Sequence, residues 1–381
     1  MTKIYLIRHA EAEGNVFRRG HGHYNSFITA KGHRQIAALA ERFRELPVDA
    51  VVSSDLRRAM TTAGAITKFH NIEISTDARL REMALGEWED EPWGNLEFQN
   101  PQNMWNFNND PASWNVAGGE KFCDLQERML LAVSEIAEAH SGKTIVIVSH
   151  GMAIRSLLCR LRGISSAEIG SLAHGDNTCV SLLEHDGKTI QIKYINDNSH
   201  LPGDLSTFAR QAWWHEENED STDIGNLRLE PLNPRAEPAF YTHCYAAAWQ
   251  HIHKTREGFC ADAYLDDACR HHLENGLSLM KAIKGERAVG IIHLDTIRGK
   301  SEAYGWISLI FVEERERRTQ LGVQLLGHAV ALFRSLGAKS IRLNVAKANE
   351  AAIKFYEEYE FKVIGEERGA FGTLLLMERE I

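Results

Sequence analysis

The chain has 381 residues, of which 44% are hydrophobic and 25% charged, and its formal net charge is −9. This length predicts two domains, because single cores rarely grow beyond about 300 residues. The acidic balance argues against a general nucleic-acid binder. The opening MTKIYLIRHA lacks the apolar core of a signal peptide, and no run reaches membrane-spanning length, so we expect a cytoplasmic protein. Six cysteines without a CxxC pair predict reduced thiols, with no metal site.

In the N-terminal half, short apolar runs alternate with segments of helical periodicity. This alternation predicts an α/β fold with a mostly parallel sheet that is covered by helices on both faces. The predicted strands are 3–7, 50–53, 144–149, 179–184 and 189–195. The predicted helices are 30–43, about 55–68, about 122–136 and 152–161.

The composition changes in the stretch that includes WWHEENEDSTDIGN, which is acidic and lacks periodicity. We interpret residues 201–226 as a linker, with some helix around Leu205–Trp214. A second mixture of strands and helices follows, so the predicted domains are 1–200 and 227–381. The later strands are predicted at 227–231, 279–283, 288–294, 306–312, 340–345 and 374–378. The later helices are predicted at 241–254, 261–274, 322–336 and 350–359.

Two histidines and two arginines follow predicted strands of the first domain. Arg8 and His9 come after the first strand, His150 follows another, and Arg58 begins a helix after a third. Strand ends of a parallel sheet meet at one edge, so these side chains should converge. Arginine donors match phosphate oxygens, and the helix that starts after Gly151 adds free N–H groups and a positive dipole end. The pattern predicts a phosphate pocket.

The pocket also suits nucleophilic catalysis. The nearby guanidinium groups disfavour protonation of His9, and a neutral His9 can attack phosphorus to form a phosphohistidine. The leaving alkoxide needs a proton, for which Glu82 in LREMALGEWE is the best candidate. Glu82 would then act as the base when water attacks the phosphohistidine.

These segments resemble the signatures of the histidine phosphatase superfamily, also called phosphoglycerate mutase-like. The matching segments are LIRHAEAEGN, FITAKGHRQ, SSDLRRAMTTA, LREMALGEWE and VSHGMAIRSLL. The resemblance implies a three-layer α/β/α fold, and it assigns the family arginine to Arg58 rather than Arg57. It also implies that His150 and Asn15 bind phosphate. Ala10 stands where the family usually has glycine. The aromatic-rich segment 87–114 is interpreted as a lid, whose rings either grip the substrate or pack against the domain.

In the second domain, the strand 306–312 runs into a polar turn and an apolar-faced helix, VEERERRTQLGVQLL. Backbone N–H groups at such a helix start can hold a pyrophosphate, and Arg317 and Arg318 add positive charge. Asn349 stands at another helix start, and Tyr356 lies on that helix.

This pattern resembles the GNAT acetyltransferase superfamily, through Arg317–Gly322 and through Asn349, Ala352, Tyr356 and Phe361. The resemblance implies a mixed-sheet α/β domain that uses acetyl-CoA to acetylate an amine, with Tyr356 protonating the thiolate. The implied coenzyme contacts are Val312, Arg317, Arg318, Thr319, Gln320, Leu321, Gly322, Val323 and Asn349. Gln320 and Glu360 replace glycines of the signature, and a side chain at position 320 is acceptable if its φ stays negative. The general base stays open among Glu302, Glu313 and a water chain.

The sequence therefore predicts a bifunctional enzyme that hydrolyses a small phosphomonoester and acetylates a small amine, without nucleic-acid or membrane partners. One alternative keeps the phosphatase but makes the second domain a non-catalytic coenzyme A sensor or interaction module. Another alternative is phosphotransfer of the phosphoglycerate mutase type. The sequence predicts neither the two substrates nor the oligomeric state.

Overall fold

The apolar runs of the N-terminal half form one sheet in a computed structural model that describes residues 1–208, 225–369 and 371–381. Its six strands are β1 (Thr2–Arg8), β2 (Ala50–Ser53), β3 (Ile74–Thr76), β4 (Thr144–Ser149), β5 (Val180–His185) and β6 (Ile190–Asp197). The strand order is β3-β2-β4-β1-β5-β6. The first four are parallel, whereas β5 pairs antiparallel with β1 and β6 antiparallel with β5. The ends of β1, β2 and β4 therefore meet at one edge.

Helices cover this sheet on both faces, as the alternating pattern predicts. The covering helices are α2 (Ala30–Phe43), α3 (Arg57–Thr67), α6 (Phe122–Ala139) and α7 (Gly151–Arg162). Three shorter helices, α1 (Glu13–Phe17), α4 (Trp93–Gln99) and α5 (Pro101–Asn109), lie in the connections. Leu39 and Phe43 of α2 and Ile66 of α3 pack with Val51 and Val146 of the sheet. The helices α6 and α7 pack on each other and on β1. The predicted three-layer α/β/α fold is confirmed.

Local capping chemistry explains where two of these helices begin or end. The side chain of Thr29 accepts a hydrogen bond from the N–H of Gly32 at 3.0 Å, which satisfies a free donor in the first turn of α2. The helix α7 ends at Gly163, whose φ of 67° lies in the left-handed region. Glycine adopts this conformation without a Cβ clash, and this makes it a common helix terminator.

The second half of the chain contains a seven-stranded mixed sheet. Its strands are β7 (Arg228–Pro231), β8 (Leu279–Lys284), β9 (Arg287–Asp295), β10 (Tyr304–Val312), β11 (Ser340–Ala346), β12 (Lys362–Gly369) and β13 (Gly372–Glu380). Its helices are α8 (Pro238–His253), α9 (Ala261–Glu274), α10 (Leu321–Ser335) and α11 (Glu350–Glu358). The order is β12-β13-β11-β10-β9-β8-β7, and β10 pairs parallel with β11 while the other pairs are antiparallel.

Contacts divide the chain into two compact units, Met1–Glu91 with Leu96–Asp223 and Ile224–Ile381 with Pro92–Asn95. Within the predicted linker, Leu205 and Phe208 are buried. The helix predicted around Leu205–Trp214 falls largely on residues 209–224, outside the described ranges. Over the residues that are described, no helix has both the length and the apolar character needed to cross a membrane.

Candidate functional sites

His9 lies directly after β1, where its side chain is almost fully buried. Its Nδ1 is 2.8 Å from the carbonyl oxygen of Ala10. Because a carbonyl oxygen can only accept, Nδ1 carries the proton and Nε2 carries the free lone pair. The His9 N–H donates to the Ser149 carbonyl, and the Asn177 amide donates to the His9 carbonyl, both at 2.9 Å. The backbone thus holds His9 in the tautomer whose Nε2 can act as a nucleophile.

The pKa of His9 lies well below its ordinary value of 6.5. Burial is the largest cause, and the guanidinium groups of Arg58 and Arg8 lower the pKa further. The sequence predicted the effect of the arginines but not the larger effect of burial. The buried ring is therefore neutral at neutral pH, as nucleophilic attack requires.

His150 is fully buried, and its ring centroid is 5.1 Å from that of His9. Arg58 Nε donates to His150 Nδ1 at 3.1 Å, so the proton of this neutral ring lies on Nε2. Nε2 then donates to the hydroxyl oxygen of Ser54 at 2.8 Å. Burial, followed by the charge of Arg58, holds the pKa of His150 well below 6.5. Both nitrogens of His150 contact protein groups, and in this arrangement the ring orients Arg58.

The Arg58 guanidinium is fully buried and donates to three backbone carbonyls of one segment. Nη1 donates to Tyr24 at 3.1 Å, and Nη2 donates to Gly22 at 2.6 Å and His21 at 3.4 Å. Burial lowers the pKa of Arg58 to about 10, against the opposing charge of Glu82. Arg58 thereby fixes the segment 21–24 beside the two histidines.

The Glu82 carboxylate caps the start of α7. Its Oε2 accepts from the Met152 N–H at 3.0 Å, and its Oε1 accepts from the Ala153 and Met83 N–H groups at 2.9 Å. These bonds satisfy free N–H donors of the helix start. The sequence predicted Glu82 as a proton donor but did not predict this cap. The cap fixes Glu82 next to the His150–Gly151 turn.

The remaining predicted phosphate ligands lie around the same strand ends. A Cβ on Gly151, the first residue of α7, would be 3.4 Å from Arg8 Nε, so the arginine passes close to this glycine. Arg8 Nη1 donates to the Gly175 carbonyl at 2.5 Å. Asn15 Oδ1 accepts from the Ala12 N–H at 3.0 Å, which makes the amide nitrogen of Asn15 the atom that can donate to a ligand.

Four residues that were not predicted from the sequence support this pocket. Ser54 accepts from His150, and Thr62 Oγ1 accepts from the Ala10 N–H at 2.9 Å. Both belong to the SSDLRRAMTTA segment, where a search for polar partners could have found them. Asn177 and Phe208, whose ring lies 5.4 Å from the Arg8 guanidinium, are far away in sequence. Only tertiary structure brings these two to the pocket.

Five of the six aromatic residues of the predicted lid fall into two groups, and the sixth, Trp93, begins α4. The rings of Trp88, Phe107 and Trp114 pack on one another, with centroid separations of 5.6, 5.7 and 6.1 Å. Trp88 and Trp114 are buried, so packing accounts for this group. Phe98 and Trp105 are 64% and 55% exposed, and a role in substrate contact stays a prediction for these two.

In the second unit, β10 and β11 separate along their length. Their parallel pairing begins at Tyr304 with Ser340 and ends at Ile307 with Leu343. Both strands continue, and β10 has a bulge against β9 between Ile307 and Leu309. The backbone of β10 beyond the bulge can therefore pair with an extended ligand. The helix α10 starts shortly after this strand ends, which places free N–H groups of the helix start near it. These features fit the pantetheine and pyrophosphate groups of acetyl-CoA.

Two residues of the turn before α10 adopt left-handed conformations. Arg318 has a φ of 66° and Gln320 a φ of 62°. The condition set for a side chain at position 320, a negative φ, is not met, because the chain keeps the glycine-like turn of the signature without the glycine. Glu360, which also replaces a signature glycine, has a φ of 68°. A non-glycine residue in this region costs roughly 1–2 kcal/mol, so both positions carry local strain.

Several predicted coenzyme contacts act within the turn itself. Arg317 Nε donates to the Val312 carbonyl at 3.1 Å, and the Thr319 hydroxyl donates to the Glu316 carbonyl at 2.5 Å. The side chains of Leu321 and Val323 are buried in α10, so only their backbone is available to a ligand. Gly322 matters for packing, since a Cβ there would approach the Phe355 ring to 3.2 Å.

The two predicted residues at α11 have defined surroundings. Asn349 Oδ1 accepts from the Ala352 N–H at 3.2 Å, so Asn349 caps α11. Tyr356 is 9% exposed, and its ring packs against Phe355 and Phe361. Burial raises the pKa of Tyr356 above its ordinary value of 10, which keeps its hydroxyl protonated and able to donate.

Comparison with known proteins identifies both halves. Residues 4–198 match the histidine phosphatase superfamily (branch 1), and the chain belongs to this superfamily. Residues 237–361 match the acetyltransferase (GNAT) family and form a GNAT domain. The predicted fusion of these two domains is confirmed.

Two relatives illustrate the match of the first half. A probable phosphoglycerate mutase, GpmB, from Salmonella choleraesuis is 32% identical over 164 residues, which cover 43% of this chain and 76% of the relative. The solved structure of Bacillus stearothermophilus YhfR is 33% identical, with a TM-score of 0.51 over 52% of this chain and 99% of YhfR.

Among the residues with described positions, no three His, Cys, Asp or Glu side chains are grouped to hold a metal ion.

Proposed function

We propose that the N-terminal domain hydrolyses phosphomonoesters through a phosphohistidine at His9. The observation that carries this proposal is the buried, neutral imidazole of His9, whose Nε2 lone pair is free while Arg8 and Arg58 lie beside it. The two arginines, Asn15 and the N–H of Gly151 would hold the phosphate oxygens.

The proposed reaction has two steps. His9 Nε2 forms a bond to phosphorus as the bond to the alkoxide breaks, and Glu82 gives its proton to the alkoxide. Water then attacks the phosphohistidine, Glu82 takes the proton of that water, and inorganic phosphate leaves. His150 keeps Arg58 in position through both steps, since Arg58 Nε donates to it.

The test compares His9→Ala with His33→Ala, which removes an exposed histidine of α2. Over a screen of phosphomonoesters, we expect His9→Ala to lose hydrolysis and the acid-labile phosphoenzyme, while His33→Ala keeps both. Hydrolysis retained by His9→Ala would refute the mechanism. Isomerisation of a phosphorylated sugar acid by the wild type, with little hydrolysis, would instead favour the mutase alternative that the name of GpmB suggests.

We also propose that the GNAT domain transfers acetyl from acetyl-CoA to an amine. The separation of β10 from β11, followed by the start of α10, supports this proposal, since it leaves backbone groups for the coenzyme. The amine nitrogen would form a bond to the acetyl carbon, the carbon–sulfur bond would break, and Tyr356 would protonate the thiolate.

The corresponding test uses Tyr356→Phe, with Tyr359→Phe as a matched control just after the same helix. We expect Tyr356→Phe to slow acetyl transfer at least about tenfold while the dissociation constant for acetyl-CoA, measured by calorimetry, changes little. The left-handed Gln320 and Glu360 motivate the sensor alternative. Tight acetyl-CoA binding by the wild type with no transfer to any amine would favour that alternative.

A further inference from the structure

The segment that carries Glu82 has no regular secondary structure of its own. Residues 81–84 belong to no helix or strand. Leu80 and Met83, on either side of Glu82, have fully buried side chains that anchor the segment in the core. The path of the backbone between these anchors depends on which donors its carbonyl groups meet, because buried carbonyls need hydrogen-bond partners.

One side chain of α6 supplies donors to three of these carbonyls. The Nη1 of Arg128 donates to the Arg79 carbonyl at 2.7 Å and to the Arg81 carbonyl at 2.8 Å. Its Nη2 donates to the Glu82 carbonyl at 2.9 Å. A single guanidinium therefore holds the backbone before and at Glu82.

The Arg128 guanidinium is itself held by a carboxylate. Its Nε donates to Glu120 Oε1 at 2.6 Å and its Nη2 donates to Glu120 Oε2 at 2.8 Å, and the two side chains are only 20 and 17% exposed. Glu120 also pairs with Ala84, whose N–H donates to Glu120 Oε2 at 3.3 Å and whose carbonyl accepts from the Glu120 N–H at 2.9 Å. This two-bond pairing fixes the plane of the guanidinium. We call Arg128 and Glu120 the clamp.

The clamp meets the phosphate pocket at the Glu82 carbonyl. The same oxygen accepts from His23 Nε2 at 2.7 Å, and His23 belongs to the segment 21–24 that Arg58 holds. The Glu82 carboxylate accepts from N–H groups at the start of α7. The backbone of Glu82 is thus fixed by the clamp and His23, and its carboxylate is fixed by a different helix.

We propose that Arg128 and Glu120 position Glu82 for proton transfer and thereby set the selectivity of the phosphatase site for alkyl over aryl phosphomonoesters. This inference rests on the proposed hydrolysis through His9. Both are positioning residues, because they contact the backbone around Glu82 and are not placed in contact with the substrate.

The selectivity follows from the proton balance of the first step. As the bond from His9 Nε2 to phosphorus forms and the ester P–O bond breaks, an alkoxide must take the Glu82 proton, whereas a nitrophenolate is stable as a free anion. Proton transfer needs the carboxyl oxygen within hydrogen-bond reach of the leaving oxygen, and a misplacement of about 1 Å can lower the rate about 100-fold. Displacement of Glu82 therefore slows alkyl esters far more than aryl esters.

The first test is Arg128→Lys. Lysine keeps the positive charge beside Glu120, but its compact ammonium group cannot reproduce a planar fork that spans three carbonyls and a carboxylate. We expect kcat/KM for the best alkyl ester of the screen to fall at least about tenfold, while kcat/KM for p-nitrophenyl phosphate changes less than about threefold. Retained activity on the aryl ester also shows that the variant is folded.

Two further variants control for a general loss of structure. Glutamine in Glu120→Gln has the size of the glutamate and keeps one oxygen that can accept from Arg128, so the same change in selectivity should be smaller. Arg42→Lys is the matched control, because the Arg42 side chain is 15% exposed and donates to both the carboxylate and the carbonyl of Asp197, at 2.6 and 3.2 Å. It should affect both esters alike.

The second step of the reaction gives an independent readout. Glu82 also takes the proton of the attacking water, so the clamp should speed hydrolysis of the phosphohistidine whichever ester formed it. After rapid mixing with p-nitrophenyl phosphate, Arg128→Lys should release nitrophenol in a burst and then lose its phosphate at least about tenfold more slowly than the wild type. A merely structural role for Arg128 would not slow the second step while sparing the first.

The outcomes separate this inference from the proposed function. Equal losses for the two esters in Arg128→Lys, or an unchanged rate of dephosphorylation, would overturn the role of the clamp and leave hydrolysis through His9 intact. A wild type that hydrolyses neither ester would refute the proposed function, and the selectivity that rests on it would fall as well. The comparison with His9→Ala identifies which of these two cases holds.

Discussion

Removal of the Ser54 hydroxyl should weaken phosphate-ester hydrolysis, although Ser54 itself contacts no predicted nucleophile. In Ser54→Ala, the buried Nε2–H of His150 loses its acceptor. An unsatisfied buried donor costs about 1–3 kcal/mol. The ring can avoid this cost by moving its proton to Nδ1, but Nδ1–H would then face the Nε–H of Arg58. The free enzyme therefore relaxes by displacing either His150 or Arg58 from the phosphate-binding arrangement.

The free energy needed to return His150 and Arg58 to the phosphate-binding arrangement should appear as a lower kcat/KM, because the transition state requires that arrangement. A loss of 1–3 kcal/mol corresponds to a decrease between about fivefold and 150-fold. Ser53→Ala is the matched control, because Ser53 is equally buried and its hydroxyl donates only to the Ser54 carbonyl, at 2.8 Å. Steady-state hydrolysis of the best substrate of the screen measures both variants. A kcat/KM for Ser54→Ala within twofold of that for Ser53→Ala would refute the assigned tautomer of His150.

Two further predictions concern stability. The pKa values of His9 and His150 lie well below 6.5 in the folded chain, so below pH 6.5 the unfolded chain binds more protons than the folded chain. The contribution of these two histidines to the free energy of unfolding of the first domain should therefore be fully present above pH 6.5 and decrease towards pH 5. The decrease should reach up to about 1.4 kcal/mol per pH unit for each histidine. Urea unfolding at pH 7, 6 and 5 measures this, and equal stability at all three would contradict the buried neutral rings. At position 320, where φ is left-handed, Gln320→Gly should give a GNAT domain more stable than Gln320→Ala by about 1 kcal/mol. At the exposed helical position 354 the order should reverse, with Lys354→Ala more stable than Lys354→Gly by a similar amount. Calorimetry of the four variants, with the GNAT transition identified by its shift on adding acetyl-CoA, checks the two orders; the same order at both positions would show that φ at 320 causes no strain.

The secondary structure was predictable wherever an element buries a regular apolar pattern. The strands Ala50–Ser53 and Thr144–Ser149 have the predicted bounds, because each is a β-branched run buried on both faces of a parallel sheet. The prediction missed Ile74–Thr76 and Lys362–Gly369. Both are edge strands, and the second, KVIGEERG, is mostly exposed and polar. Pairing with β13 makes it a strand, and such pairing leaves no periodicity in the sequence.

The order of the motifs determined the chemistry that each domain can support. Arg8, His9 and His150 follow apolar runs that can only be buried strands, so their convergence follows from the geometry of a parallel sheet. The turn before α10 also follows an apolar run, the strand β10, so its place at the end of a strand was predictable from the sequence. Residue types at fixed local spacing carry this information, and no distant partner is needed to read it.

Tertiary structure alone decided which protons and which contacts those residues have. The tautomers of His9 and His150 depend on the Ala10 carbonyl, Arg58 and Ser54. A hydrogen atom goes to the acceptor that lies within about 3 Å. His150 is 92 positions from Arg58 and 96 positions from Ser54, so these groups meet at that distance only in the folded chain. The sequence names the reacting groups, and the fold sets their protonation.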